Sequence, residues 1–589
     1  MIESLPKNVI SKSIHFFAKK ERMQLWGFVF LQILISIFDL VAVILSGALS
    51  LQVLQLLNGN NSETFLSNYQ LFQNMQSEKR LLLISILTFT FFILRTFSSI
   101  LVNRAILNYL SGKTASISHQ LIKNYFSLPL DRQQNYDSQN TQYAISDGVD
   151  RAILGTLGRA IVLSVDFIST FLILALMLIF SPLIALCIII YFGIAIHLLN
   201  RYSTRRITKY GNVKIESNIR IKSIFTLIQN NFRELFLSAK IGKQIDLMGD
   251  LKAKSAKASA DQILISNLNK YIFESIIVLA FVIFFGFQAL ASNSMPGGVE
   301  IGILGAGIIR LIPILLRLHQ GNLEIKTTLS EACKTFQLID HLSRDSFDNY
   351  GESSFQNIIA NSKICLVEFS SVDFAYDSRF RIKELNFSYS SPNLVAIIGH
   401  NGSGKSTLLD LIAGIINPTS GCAHINGLPA RKFAMQNPGM ISYVPQDIHM
   451  FGATLKENIN LVNIESSSFS KEELFGVFNM DISPDSIIPN LSGGQKQKMS
   501  LLRANLNNSM IVLLDEPTSA LDTSGEREFQ MWLSSIKMEK LIFIVAHRME
   551  TIRQADSVIY MENGGIVHTG NLETSYDFVK KLQSNEEIF

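Results

Sequence analysis

The chain has 589 residues, too many for one ordinary domain and suited to about two to four. Hydrophobic residues make up 48% and charged residues 17%, with a mean hydropathy of +0.26; a soluble domain carries about 25% charged residues, so this composition leans toward lipid. The net charge of +4 singles out no partner, and the four cysteines (Cys187, Cys333, Cys365 and Cys422) are scattered without a CxxC, so neither a disulfide framework nor a zinc site is indicated.

Residues 1–23 are mixed and basic and carry no cleavable signal. Ile10, Ile14 and Phe17 beside lysines suit an amphipathic helix on the cytoplasmic membrane surface; a solvated lead-in is the alternative. A spanning helix needs about 20 apolar residues. Six stretches meet that need: 25–57, 81–103, 158–180, 182–200, 273–291 and 300–318. The third and fourth abut at Ser181-Pro182, a tight outer turn. The connections 104–157 and 201–272 are long, polar and rich in Lys and Arg, while the others are short. Positive loops stay inside, so both long stretches and both termini are expected in the cytoplasm. Each long stretch reads as two helices continuing below the membrane, with turns near 128–145 and 229–241. Phe65, Tyr69 and Phe72 recur at helical spacing in the outer loop 58–80, as in a short helix lying on the outer surface or as aromatics covering the span ends. Residues 341–362 are polar, with Asp, Ser, Asn and Gly, and read as a linker. From 363 to 589 the pattern changes to short apolar strands, turns and helices, a soluble α/β domain.

GHNGSGKS at 399–406 is a full GxxxxGK[ST]. It follows the apolar strand Leu394–Ile398 and precedes the helical run Thr407–Ala413, the strand–loop–helix context a phosphate loop requires. Its glycines let the loop wrap so that backbone N–H groups point at phosphate oxygens. Gly399, Asn401, Gly402, Ser403, Gly404 and Thr407 are the expected nucleotide contacts. Lys405 supplies a cation to the β- and γ-phosphates, and Ser406 a hydroxyl to Mg²⁺. The second motif, Ile511–Glu516, is a buried strand ending in two carboxylates. Asp515 is expected at the Mg²⁺ and Glu516 at a water near the γ-phosphate, as orienting group or base.

LSGGQ at 491–495, ahead of the helical run KQKMSLLRANL, is the signature of ABC ATPases. The remaining motifs stand in the family's order: Tyr376 ahead of the phosphate loop, Gln446 in YVPQDIHMFGATLKENI, SALD at 519–522 and His547 in IVAHR. The resemblance covers about 363–575 and, with the fused membrane half, almost the whole chain. It implies an exporter-type half-transporter: a multi-domain membrane protein with an all-α six-helix transmembrane domain at 1–340, followed by an α/β P-loop NTPase domain. It further implies ATP with Mg²⁺, Tyr376 stacked on adenine, Gln446 sensing Mg²⁺ and the attacking water, His547 contacting the γ-phosphate, and Asp522 in the D-loop. In the family ATP lies between the phosphate loop of one subunit and the signature of the other. Ser492, Gly493, Gly494 and Gln495 would therefore serve a partner's nucleotide, and a chain with one cassette must pair. A homodimer is the simpler assignment and a heterodimer the alternative. The chain departs from the family at Lys498, where an arginine is usual, in a short stretch between Gln446 and Leu491, and in DISPDSIIPN, where the glycine- and glutamate-bearing segment of exporters is not recognisable.

Charges inside the expected spans are mostly basic: Arg95, Lys270, Arg310 and Arg317, the last two on one face two helical turns apart. Turned inward in two chains, they would line a cavity attracting phosphate or pyrophosphate. The alternative is snorkelling, or pairing with Asp39 and Asp166. The arginine positions, the acid in the first span and the outer amphipathic helix resemble bacterial lipid-linked oligosaccharide flippases. The expectation is ATP-driven export or flipping of an anionic amphipathic substrate, most simply a lipid-linked oligosaccharide, at a bacterial inner membrane. Export of a peptide or drug-like compound is the alternative. A nucleic-acid partner is excluded by the six spans, and a gated channel is disfavoured by the intact Glu516 and His547.

Overall fold

The structure is a computed structural model. It describes residues 17, 19–57, 77–180, 182–290, 298–344, 364–376, 381–451, 454, 457–458, 478, 491–506, 509–575 and 578. The expected surface helix at Ile10 and Ile14, the outer helix around Phe65, Tyr69 and Phe72, most of the linker and the DISPDSIIPN segment lie outside the described residues, as do the side chains of Asp39 and Arg310. Two compact units form: Met1–Ser127 with Tyr136–Ser346, and Leu128–Asn135 with Phe347–Phe589.

The first unit is helical. Its elements are α1 (Lys19–Leu57), α2 (Ser77–Phe126), α4 (Ser138–Ile145), α5 (Asp147–Asp150), a π-helix (Arg151–Gly158), α6 (Arg159–Phe180), α7 (Pro182–Asn230), α8 (Phe232–Leu237), α9 (Ile241–Leu290) and α10 (Gly298–Arg344); α3 (Leu130–Gln133) belongs to the second unit. Helices α2 and α9 each have 50 residues, about 75 Å at 1.5 Å per residue, against an apolar bilayer thickness of about 30 Å. The long polar stretches therefore continue the spans as helices, as the loop composition predicts. Among the described residues, Lys19–Phe38, Leu81–Phe126, Ser138–Ile179 and Ala185–Asn230 are long and apolar enough to cross a membrane. Hydroxyls along α2 bond to their own helix, Thr88 to the Ile84 carbonyl at 2.7 Å and Thr96 to the Phe92 carbonyl at 2.8 Å, which satisfies them where no water is at hand.

Close helix approach comes from small residues. A Cβ at Gly155 would meet Thr328, and one at Gly321 would meet Leu163, so α10 packs hard on the π-helix and on α6. Below the apolar layer, the buried Glu331 of α10 takes Arg151 Nε at 3.0 Å and Lys214 Nζ at 3.2 Å, one on each carboxylate oxygen. Those two bonds tie α10 to the π-helix and to α7.

The second unit is the α/β domain. A six-stranded sheet has the order β10-β9-β3-β8-β7-β6, with β3 (Asn393–Gly399), β6 (Ile441–Val444), β7 (Ile511–Asp515), β8 (Leu541–Val545), β9 (Ser557–Glu562) and β10 (Gly565–Gly570). A four-stranded sheet has the order β2-β1-β4-β5, with β1 (Leu366–Ala375), β2 (Arg381–Ser390), β4 (Ser420–Ile425) and β5 (Leu428–Pro429). Strands β7 and β8 are buried at every residue, the mark of a parallel sheet covered on both faces. Alternate residues feed opposite cores: Ala396, Ile398, Val512, Leu514, Ile542 and Ile544 pack on one face, Val395, Ile397, Ile511, Leu513, Phe543 and Val545 on the other. The helices of this unit are α11 (Lys405–Ile412), α12 (Ala430–Gln436), α13 (Gly493–Leu506), α14 (Thr523–Ile536) and α15 (Met549–Arg553). Sequence reading did not foresee that Leu128–Asn135 belongs here: Leu130 N donates to the Ile415 carbonyl at 3.1 Å, just past α11.

Replacing Glu331 by Ala leaves Arg151 and Lys214 without their shared anion. We expect a loss of about 2–3 kcal/mol, below the full cost of breaking a buried pair because both cations reach water. Arg151→Ala costs under about 1 kcal/mol, since that side chain is half exposed. Thermal unfolding of the detergent-purified protein checks the order; equal losses contradict the hub.

Candidate functional site

Four strand ends on one edge of the large sheet build the site. Parallel pairing sets Ile397 beside Val545, Asp515 beside Val545 and Val444 beside Leu514. The chain then leaves β3 at Gly399, β6 toward Gln446, β7 at Glu516 and β8 toward His547, so four separate sequence motifs meet at the carboxyl ends of the strands, where open α/β sheets bind ligands. The cleft they form, about 660 Å³, is lined by Tyr376, Asn401, Gly402, Gly404, Lys405, Ser406, Thr407, Gln446, Glu516 and His547.

The loop between β3 and α11 needs its glycines. Gly404 caps α11 at φ 104°, a left-handed conformation costly for other residues. A Cβ on Gly399 would collide with the Met561 carbonyl. Lys405 is almost fully buried, and its Nζ donates to the carbonyls of Gly399 at 2.8 Å and His400 at 3.1 Å. Burial pulls its pKa below the ordinary lysine value, partly offset by Glu516 and Asp515. Asp515 is held by the Ser406 hydroxyl, and burial lifts its carboxyl above the usual range.

Glu516 sits at φ +47°, a conformation that costs a non-glycine residue about 1–2 kcal/mol. Its carboxylate is gripped from two sides: Gln446 Nε2 donates to Oε2 at 2.9 Å, and His547 Nε2 lies 3.2 Å from Oε1. Tyr376 stands at the rim edge-on to Phe374, with centroids 4.7 Å apart; its hydroxyl bonds to Thr407, and burial raises its pKa. Ser403 is buried in the loop, beneath the cleft surface.

The signature residues are elsewhere. Among the described residues, Ser492, Gly493, Gly494 and Gln495 do not line this cleft. They open α13 as a capping box: Ser492 N donates to Gln495 Oε1 at 2.8 Å, and Gln495 N to Ser492 Oγ at 3.3 Å. The Asp522 carboxylate also lies away from the cleft. It caps α14 by accepting from Gly525 N at 2.8 Å, a bond that holds its pKa down.

Three residue roles escaped sequence reading. Lys498 replaces the usual arginine by pairing with Glu528 at 2.7 Å and donating to the Phe478 carbonyl at 3.0 Å. Gln497 is fully buried between α13 and the loop after β7. Asp410, on α11, accepts from the Tyr443 hydroxyl beside Asp515, and burial pushes its pKa up to about 6. An acid on an otherwise apolar helix face was the visible signal for Asp410. A glutamine in a polar run gave none for Gln497.

In the helical unit the expected substrate cations fare unevenly. Arg317 is not a free cation: its Nη2 and Nε bond Asp166 at 2.9 and 3.2 Å. The pairing alternative holds there because Asp166 is buried on α6 facing α10 and needs a counter-charge. Lys270 lies 4.0 Å from Glu274, one turn along α9. Arg95 is half buried on α2. A groove of about 540 Å³ on α9 is lined by Tyr271, Glu274, Ser275, Val278, Leu279 and Val282, an acid among apolar groups and no arginine.

Residues 382–519 match the ABC transporter family. The ATP-dependent lipid A-core flippase of Pectobacterium atrosepticum is 30% identical over 314 residues, 50% of this chain and 52% of that protein. The protein of the same description from Salmonella typhimurium is 29% identical over 350 residues, 56% of each chain. ABC transporter B family member 1 of Arabidopsis thaliana is 35% identical over 257 residues, 41% of this chain and 19% of that one. The chain thus spans about half the length of the flippases it matches. A solved structure of a bacterial Atm1-family ABC exporter with ATP bound superposes with a TM-score of 0.74 at 18% identity, covering 97% of this chain and 99% of that one. At that identity the likeness establishes the fold, an exporter-type helical half followed by a nucleotide-binding cassette.

Asp410 yields a test of the buried site. Its folded pKa, about 6, lies above its ordinary 3.8. The native state therefore holds its proton to higher pH than the unfolded chain, so this group's contribution is full below about 3.8, is lost as pH rises from 3.8 to 6, and leaves a buried charge that opposes folding above 6. Asp410→Asn should stabilise the protein by about 1–2 kcal/mol at neutral pH, with the gain in melting temperature shrinking as pH drops through 6. A gain that does not change with pH contradicts the burial of this charge.

Proposed function

We propose that this exporter-type ABC half-transporter works as a pair of identical chains that bind two ATP molecules, hydrolyse them, and use the cycle to move an anionic amphipathic lipid across a membrane. One observation carries the reading. The cleft of one cassette holds every group needed around the triphosphate except the signature, which opens a helix outside that cleft. A second cassette presenting Ser492, Gly493 and Gly494 completes the site, since the start of a helix attracts phosphate. The exposed apolar tip of the helical half supports pairing as well. Phe232 and Phe236 of α8 stack at 6.0 Å, and Leu237 beside them is 84% exposed. Such a patch in a polar region marks a docking surface, as domain-exchanged bundles require.

In the cleft, Lys405 neutralises the β- and γ-phosphates, and Tyr376 offers its ring to adenine. Glu516 takes the proton of the attacking water. Gln446 and His547 orient the Glu516 carboxylate, and His547 turns to the γ-phosphate when nucleotide enters. The donors fit Mg²⁺: Ser406 and Asp515 share a hydrogen bond at the cleft floor, and both are hard oxygen ligands. Among the described residues no group of three His, Cys, Asp or Glu could hold a metal alone, so the phosphates and Gln446 would supply the rest. When bound, Mg²⁺ offsets charge between the β- and γ-phosphates.

The substrate assignment rests on the flippase relatives and on Arg95 and Arg310 of the expected spans. A lipid-linked saccharide or a similar phosphorylated lipid combines both chemistries. The Lys- and Arg-rich long stretches support both termini in the cytoplasm, and the flippase relatives support flipping at a bacterial inner membrane. A peptide or drug-like substrate is the second reading, favoured by the acidic apolar groove on α9.

Glu516→Gln should bind ATP within about threefold of the parent yet lose about 10²–10⁴ in hydrolysis rate; substantial residual turnover contradicts its role as base. In proteoliposomes, a polyprenyl-pyrophosphate saccharide or a lipid A-type glycolipid should stimulate ATPase activity at least about twofold, and Arg310→Ala should weaken that response by about tenfold, one lost charge-assisted contact. Stimulation by peptides alone would favour the second reading.

A further inference from the structure

Gln497 lies one turn inside α13, behind the signature, and is completely buried. Both ends of its amide are used on the loop that follows β7. Its Oε1 accepts from Ala520 N at 2.9 Å, and its Nε2 donates to the Glu516 carbonyl at 3.3 Å. The same face of α13 is pressed on that loop at its first turn, where a Cβ on Gly494 would come within 3.0 Å of the Ala520 carbonyl. Lys498 pins α13 to α14 through Glu528. Glu516 needs such a tether: its backbone is left-handed, and its carboxylate direction follows from the rotation of its own peptide.

We propose that Gln497 is a positioning residue for hydrolysis, fixing the peptide of Glu516 and thereby the aim of its carboxylate from the signature helix of the same cassette. The inference rests on the paired-cassette reading. There the signature grips the partner's nucleotide while Glu516 serves its own, so this one amide joins the two sites. A γ-phosphate drawing on the N-terminus of α13 pulls, through Gln497, on the glutamate of the other site.

The test compares Gln497→Leu and Gln497→Glu in full-length protein in liposomes, measuring ATPase kcat and KM from about pH 6 to 9. Leucine removes both hydrogen bonds. We expect kcat to fall about 10- to 100-fold, as for other residues that orient a reacting group, with KM for ATP within about twofold. Glutamate keeps the acceptor for Ala520 N but faces the Glu516 carbonyl with oxygen. Once protonated, the introduced carboxyl regains an O–H donor, and burial raises its pKa into the assay range. The ratio of the Gln497→Glu rate to the parent rate should therefore rise as pH falls. A purely structural residue would lower melting temperature without giving that slope. If Gln497→Leu does not fold, the isosteric Gln497→Glu carries the test. With the parent active, a kcat within twofold and a flat ratio overturn the assignment. An inactive parent instead counts against the paired-cassette reading.

Discussion

Parallel pairing of β3, β8, β7 and β6 is the constraint from which the cassette's chemistry follows. The central strands β7 and β8 are buried on both faces, so their register is set by apolar side chains and not by the site. A slip of one residue in β7 would either draw Asp515 into one of the two cores or push it outward and bring Leu514 to its place at the cleft. The hydrophobic pattern thus places the functional atoms indirectly. Glu516 comes just after Asp515, Gln446 and His547 stand two residues past Val444 and Val545, and the phosphate loop begins at Gly399. Only Tyr376 arrives from the other sheet, at the end of β1.

The cleft is electrostatically unfinished without a ligand. Lys405 spends its donors on the carbonyls of its own loop, and burial disfavours its charge. Asp515 is disfavoured as an anion for the same reason, and Asp410 more so. A triphosphate bound together with a metal ion would reverse both penalties at once, by bringing negative charge to the lysine and positive charge to the aspartate. Glu516 is poised in the same sense, held in a costly backbone conformation by bonds to both side-chain oxygens and to its carbonyl. Nucleotide affinity in such a site comes from relieving interactions that the fold imposes.

How much of this was legible depended on sequence distance. The phosphate loop could be read because its chemistry is packed into eight consecutive letters between a strand and a helix. Asp515, Glu516, Gln446 and His547 could be read because each follows a short apolar strand, and the family order filled in their roles. What could not be read depends on partners far along the chain. Arg317 and Asp166 are 151 positions apart, and no local pattern separates a paired arginine from a free one. Gln497 sits in a polar run that looks solvated, yet the first turn of α13 lies on the Ala520 loop and closes over it. The Leu128–Asn135 segment has too little apolar content to declare which unit it joins; one backbone bond to Ile415 places it.

Helix α10 is where charge pairing and mechanics coincide in the helical half. Along one continuous element, Gly298–Arg344, successive turns reach different neighbours: Arg317 to Asp166 on α6, Lys326 to Thr204 on α7 at 2.7 Å, Glu331 to Arg151 and Lys214, and Thr335 to the Ala144 carbonyl at 2.7 Å. The upper bonds lie beside apolar layers, where a charge without its partner costs several kcal/mol. Tilting α10 by itself would strand Asp166 and Glu331 together, since their pairs sit about four turns apart along the same strut. The inexpensive motion carries α6, α7 and the π-helix along with it. The ion pairs along α10, Arg317 with Asp166 and Glu331 with Arg151 and Lys214, therefore also couple it to α6, the π-helix and α7. A count of positive charge available to a phosphorylated head group has to begin after those pairs have been subtracted.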